Sequence, residues 1–242
     1  MTAQIRAAAA ASPWDLPVAP FAGRARRQLT APDGVSCQRA LEALPAGGTV
    51  LDVGAGAGAA SLALRERAGL IIAVDESPAM LDALRSIAGP AVETIAGRWP
   101  DVAPQAPRAD VVVCHHVLYN VPDIGPFVTA LTAAARTRVV VEVTARHPMA
   151  PLNPLWMELH RVQRPSGPVA ADALAAIEET GVAPRWTAWQ RPAAPMDFDD
   201  LAAITCRRLC LGPDRLADVE AALRAQPVDE MRDLVTIWWD TV

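Results

Sequence analysis

Five side chains could do chemistry, and the pattern of the chain gathers them. Asp52 precedes Gly54, Gly56 and Gly58, three glycines at alternate positions in "VLDVGAGAG". Asp75 closes "LIIAVD", 21 residues after Gly54. His115 and His116 end "ADVVVCHH", and Tyr119 follows shortly. Glycine has no Cβ, so a ligand can come close to its backbone and φ can turn positive. Amides at the head of a following helix attract an anion, whether phosphate or carboxylate. A carboxylate at the end of the next strand suits ribose hydroxyls. An imidazole titrates near neutrality and can take a proton from a reacting group.

The elements that must hold these groups follow from periodicity. "TVLDVG", "LIIAVD", "AVETIAG", "ADVVVCHH" and "RVVVEV" are short apolar runs bounded by turn residues, which predicts five buried strands. Helical patterns alternate with them. Cys37, Ala40, Leu41 and Leu44 share one face, stopped by Pro45 and Gly47. "AASLALRERAG" predicts a helix closed by Gly69. Ser77-Pro78 opens a helix with Met80, Leu81, Leu84 and Ile87 on one face, and residues 124–135 predict another. The second half adds strands at "PRWTAWQ" and "DLVTIWWD". Helices are expected around Asn153 as cap, over 170–180, and after caps at Asp197 and Asp214. The fold class is α/β: a Rossmann-like three-layer sandwich, its seven-stranded sheet mostly parallel with an antiparallel last strand. Residues 1–34 are expected to form an N-terminal segment or helical cap. Residues 35–242 form a single domain, with a Pro-rich insert at 144–170.

Composition narrows the chemistry. All 22 basic residues are arginine, so a Schiff base or lysine base is excluded. The net charge of −5 gives no long-range pull toward nucleic acid or an anionic membrane. Cys37, Cys114, Cys206 and Cys210 form no CxxC pair, which suggests a reduced, cytoplasmic protein. The start lacks a signal-peptide core, and no apolar run reaches membrane-spanning length.

Two cofactor classes claim the glycine stretch. Gly54, Gly56 and Ala59 satisfy the dinucleotide pattern, and Asp75 suits either class. Asp52 separates them. Its carboxylate would repel a pyrophosphate but attract the ammonium of an amino-acid tail. S-adenosylmethionine has that ammonium, a carboxylate for the amides, a ribose and a sulfonium.

"LDVGAGAG" followed by "AVDESPAML", with "ADVVVCHHVLYNV", "RVVVEV" and the terminal "LVTIWWD", resembles the class I S-adenosylmethionine-dependent methyltransferases. The likeness is good over about 35–145 and looser beyond. It implies that Asp52, Gly54, Ala55 and Gly56 line the methionine half of the cofactor. Asp75 would take the ribose hydroxyls, and Glu76 and Met80 would flank the adenine. His115 and His116 would line the methyl-transfer end. Where the family usually has an acid after the third strand, this chain reads "AGRWPDV". Gly97 and Arg98 would offer backbone there, Trp99 would pack on the purine, and Asp101 would be the displaced acid. No [DN]-P-P-[FYW] motif follows the fourth strand, which turns the reading from DNA and protein-glutamine acceptors to a small molecule.

Methyl transfer is an in-line displacement, and His116, His115 and Tyr119 are the candidate bases. Glu142 on the fifth strand is either a site residue or a buried carboxylate with an arginine partner. His147, Trp156, Met157 and His160 in the insert would suit a flat acceptor or simply pack; no metal site is expected among them. Cys206 and Cys210 fall on the stripe of Phe198, Ala202 and Leu209 and belong to a helix core. Arg24–Arg27, "RARR", is an anion site or a solvated helix face. Trp238 and Trp239 point to opposite faces of the last strand, one packing inside and one left for solvent or for a homodimer partner. The other readings are an NAD(P)-dependent oxidoreductase and a non-catalytic S-adenosylmethionine-binding protein.

Overall fold

A computed structural model describes residues 18–193, 196–225 and 230–241. The first 17 residues of the expected N-terminal segment lie outside the described residues. In chain order the elements are α1 (Ala19–Thr30), α2 (Val35–Ala43), β1 (Gly48–Val53), α3 (Ala59–Leu62), β2 (Ala68–Asp75), α4 (Pro78–Ala88), β3 (Val92–Ala96) and β4 (Ala109–His115). Then come α5 (Ile124–Ala134), β5 (Ala135–Thr144), α6 (Asn153–His160), α7 (Ala170–Glu178), β6 (Arg185–Pro192), α8 (Phe198–Arg208), α9 (Leu216–Arg224) and β7 (Met231–Asp240).

The seven strands run in the order β3-β2-β1-β4-β5-β7-β6. The pairs from β3 through β5 are parallel, and β7 lies antiparallel to β5. The expected α/β class and the antiparallel last strand are both present. Strand residues alternate between two cores, as the pleat requires. Leu51, Val53, Val112, Val139, Val141 and Trp239 face α5 and α7, packing on Phe127, Leu131 and Ile177. Val50, Val111, Val113, Val140 and Trp238 face α1, α2 and α4, packing on Ala25, Ala40 and Leu84. Both tryptophans are therefore buried, at 6% and 3% exposure, and neither is left for solvent or a second copy. Trp238 lies under the Arg39 guanidinium, and the Trp239 indole N–H donates to Thr132 Oγ1.

This sheet and its helices form one compact unit, Val18–Ala145, Pro168–Arg191 and the chain from Asp233. Arg146–Gly167 and Pro192–Arg232 belong to a second. The second unit has its own core of Leu155, Trp156, Cys206, Leu209 and Val219.

Four local expectations change. The helix after the glycines is a single turn, not a run to Gly69. Beyond Leu62 the backbone closes i→i+3 turns, Leu64 N–H to Ser61 O and Arg67 N–H to Leu64 O. Gly69 already lies in β2, where a Cβ would sit 2.4 Å from Gly47 O. Asn153 does not cap α6; it is the first helical residue, and its amide donates to Arg164 O and Pro165 O. Asp214 sits in a one-turn 3₁₀ helix ahead of α9 and makes no cap bond, whereas Asp197 caps α8 through Asp199 N–H. Cys206 is in the α8 core, but Cys210 lies past the helix end with φ +56°.

Candidate active site

Strand order changes direction between β1 and β4, because β2 and β3 extend one way from β1 while β4 and β5 extend the other. In open α/β sheets ligands bind at the carboxyl ends of strands flanking such a switch point. Asp52 and the glycine loop end β1, Asp75 ends β2, His115 ends β4, and Glu142 lies beside His115 in register on β5.

Asp52 is 1% exposed. Its Oδ2 accepts from Ser61 Oγ at 2.6 Å and Ser61 N–H at 3.2 Å, tying the loop down. Its Oδ1 is buried without a hydrogen-bond partner among the described residues. Burial raises its pKa to about 6, against the two Ser61 bonds, with Asp75 adding to the rise. The loop runs through left-handed backbone at Gly54, Gly56 and Gly58, with φ of +70°, +53° and +87°. A Cβ on Gly54 would meet Val117 at 2.3 Å and one on Gly58 would meet Leu84 at 2.3 Å, so packing demands glycine at both. Gly56 differs: a Cβ there would meet nothing within 4 Å. The helix expected to offer its amides to an anion is a single turn, and the loop amides of Gly54, Ala55 and Gly58 bond to Val74 O and Ala55 O.

Asp75 is half-buried, and each oxygen accepts one backbone N–H: Oδ2 from Gly56 and Oδ1 from Ser77, at 2.7 and 2.8 Å. The residues expected around an adenine fall in different places. Glu76 and Arg98 are exposed and ion-paired at 3.7 Å. Met80 is 3% exposed, in the core beneath α4. Gly97, with φ +153°, donates its N–H to Asp75 O, and a Cβ on it would meet Val102. Trp99 is buried in the α5-side core, its indole N–H directed at Phe127 O. Asp101 is exposed.

Beyond β4, the two histidines have different surroundings. His116 has φ +61°, a conformation that costs a non-glycine residue roughly 1–2 kcal/mol. Tyr119 holds one nitrogen of its ring, and Glu142 lies near the other. Tyr119 Oη accepts Thr144 N–H at 3.3 Å and lies 2.7 Å from His116 Nδ1. With the phenol donating its own proton, Nδ1 is the acceptor and the ring hydrogen sits on Nε2. Nε2 lies 3.0 Å from Glu142 Oε1, at ion-pair distance but misaligned for a hydrogen bond. His115 is held by neither Tyr119 nor Ser36, and its Nε2 is buried without a hydrogen-bond partner among the described residues. Burial lowers both pKa values, that of His115 to about 4, so both rings are neutral at pH 7.

Glu142 is the hub, 2% exposed. Oε1 meets His116, Arg24 Nη2 at 3.4 Å and Arg191 Nη1 at 3.7 Å, while Oε2 accepts from the Ser36 hydroxyl. Burial alone would raise its pKa. The neighbouring His115, His116 and Arg191 outweigh that and hold it well below the ordinary carboxylate value. A buried carboxylate in "VVVEV" demands a counter-charge. Which of 22 arginines supplies it was not legible, and Arg191, Ser36 and the role of Arg24 went unseen in the sequence. Around this hub a narrow open cleft is lined by Arg24 and Gln28 of α1, Asp33 just before α2, Ser36 and Cys37 in its first turn, Ala59, Ala60 and Ala63 at α3, and His115, Glu142 and Arg191.

The histidines of the second unit have structural partners there. His160 Nε2–H donates to Leu209 O at 2.6 Å and its ring stacks on Trp156, while His147 Nδ1 accepts from Met149 N–H. Met157 is exposed.

Residues 50–139 match the family model of the methyltransferase domain. This segment is a class I methyltransferase domain. The match decides what Gly54, Gly56 and Ala59 left open, in favour of a methyltransferase over an oxidoreductase. S-adenosylmethionine is the methyl donor that goes with this domain. No curated protein matches the sequence. Solved structures agree in fold at low identity. The YcgJ protein of Bacillus subtilis is 18% identical with a TM-score of 0.58, over 85% of this chain and 97% of that one. Magnesium protoporphyrin IX methyltransferase from Synechocystis, solved with bound SAH, is 17% identical with a TM-score of 0.54, over 93% and 88%. A TehB-like SAM-dependent methyltransferase from Corynebacterium glutamicum is 16% identical with a TM-score of 0.52, over 93% and 98%. Among the described residues no helix is long and apolar enough to cross a membrane.

Proposed function

We propose that the protein transfers the methyl group of S-adenosylmethionine to a small-molecule acceptor in the cytoplasm, with His115 as the proton-accepting group. The observation that carries the donor side is Asp52 Oδ1, a buried carboxylate oxygen with no partner among the described residues, four residues before a glycine whose Cβ position is open. A cationic ligand supplies the missing charge, and Gly56 admits it. Asp75 fits ribose because each of its oxygens keeps a lone pair after accepting one amide. The adenine end rests on backbone near Gly97, since Trp99 and Met80 are committed to the core.

When bound, S-adenosylmethionine supplies an electrophilic methyl on sulfur. The chain's part is to orient the acceptor, exclude water and take its proton. Positioning alone can approach about 10⁵–10⁸ M in effective molarity. His116 is held by Tyr119 and Glu142 and is best read as structural support, despite being a sequence candidate for the base. His115 lines the cleft, and its buried Nε2 has no hydrogen-bond partner among the described residues. A proton arriving there creates an imidazolium beside Glu142, whose negative charge offsets part of the cost of burial.

The test is a labelled-methyl assay against cell extract, with identification of the labelled product, beside calorimetry with S-adenosylhomocysteine and with NADH. Label in a small metabolite supports the reading. Label only in protein or nucleic acid, or NADH binding without nucleoside binding, overturns it.

A further inference from the structure

We infer that the acceptor is a small carboxylic acid whose carboxylate docks on Arg191. This rests on reading the cleft beside His115 as the acceptor side of the methyltransferase. The Arg191 side chain is only 17% exposed. A guanidinium that deep normally spends its five N–H donors on carboxylates or carbonyls. Arg191 makes one ion pair, 3.7 Å from Glu142 Oε1, and no side-chain hydrogen bond among the described residues. Charge-assisted N–H···O bonds run at about 2.7–2.9 Å. The oxygen it approaches is already contested by His116 at 3.0 Å and Arg24 at 3.4 Å. Glu142 therefore holds Arg191 in place by charge without using its planar fork, which remains for a ligand in the cleft.

The fork selects the ligand class. Two parallel N–H groups match the two oxygens of a carboxylate. A dianionic phosphate would gain the same fork but would face the Glu142 carboxylate, so a monoanion is favoured. A neutral acceptor would leave the donors unpaired, the arrangement that discriminates most strongly between ligands.

The test uses calorimetry on the S-adenosylhomocysteine-loaded protein, with benzoate, benzamide and inorganic phosphate as probes, repeated without the nucleoside. Benzoate should bind at least about tenfold tighter than either other probe, the worth of one charged hydrogen bond pair. Arg191→Gln should abolish that preference, and Arg191→Lys should keep part of it by charge alone. Equal binding of benzoate and benzamide, tighter phosphate, no benzoate binding, or a preference that survives Arg191→Gln overturns the inference. If Arg191→Gln does not fold, the wild-type contrast between probes and the Arg191→Lys loss decide it. The nucleoside titration is read separately. Its failure would count against the donor site, whereas nucleoside binding without a benzoate preference would count against this inference alone.

Discussion

Asp52 is an acid kept at a cost, and Asp52→Asn measures both the cost and the reason. The side chain is fully buried, and its pKa rises from 3.8 to about 6 on folding. At about 1.36 kcal/mol per pH unit, ionising it inside the fold costs about 3 kcal/mol. The direction follows from linkage: between pH 3.8 and about 6 the folded chain holds a proton that the unfolded chain has released. Stability from this group is therefore present below that window and lost as pH rises through it. Asparagine keeps an oxygen for Ser61 and carries no charge. The variant should match wild type near pH 3.5 and exceed it by about 1–3 kcal/mol at pH 7.5, which is several degrees in Tm for a chain of this size. Thermal melts of both proteins across that range give the answer. The same substitution should weaken S-adenosylhomocysteine binding about tenfold or more, through loss of a charged contact to the ammonium. Wild-type affinity should rise from pH 5 to 7.5 while the variant stays flat. A stability difference that does not change with pH, or unchanged nucleoside affinity, would refute the assignment of Asp52 as the buried counter-charge.

Four further substitutions probe the same site. Gly56→Ala should fold with a strain cost of roughly 1–2 kcal/mol at its positive φ and lose nucleoside binding, because its methyl enters the open space; calorimetry with a melt checks both. Asp75→Ala should weaken nucleoside binding by about 1–3 kcal/mol in the same titration. His115→Gln should lower kcat by about 10²–10⁴-fold with nucleoside affinity unchanged, and equal turnover would remove it as the base. Glu142→Gln should destabilise by roughly 3–5 kcal/mol in denaturant, since it removes the buried counter-charge facing Arg191 and Ser36.

The sheet was legible because its strands are apolar runs of uniform type, and the strand ends carried Asp52, Asp75 and His115 to one edge by count alone. Parity also placed Asp52, His115 and Glu142 on one face, with Val50, Val113 and Val140 two residues before each. What covers that face was not legible. The expected helix over 59–69 looked sound by periodicity, but Ser61 is drawn to Asp52 by two hydrogen bonds and the turn stops at Leu62. Trp99 looked like a purine platform by position, yet the indole is large enough to be worth more in the core beside Phe127.

The two histidines show most clearly where sequence reasoning ends. They are neighbours of one type at one strand end, and a strand gives successive side chains opposite directions. His115 keeps the strand conformation and falls on the Glu142 face. His116 would point to the other core, but its positive φ turns the ring back to reach Glu142 from beside Tyr119. That turn requires Tyr119 three residues on, a backbone N–H from Thr144 to fix the phenol, and a carboxylate from β5. Apart from Tyr119, these contacts are too remote in sequence to be read from spacing. Their joint effect is to use up one imidazole as a fastener and leave its neighbour with a nitrogen to spare, a division of labour that sequence position alone assigns the wrong way as easily as the right way.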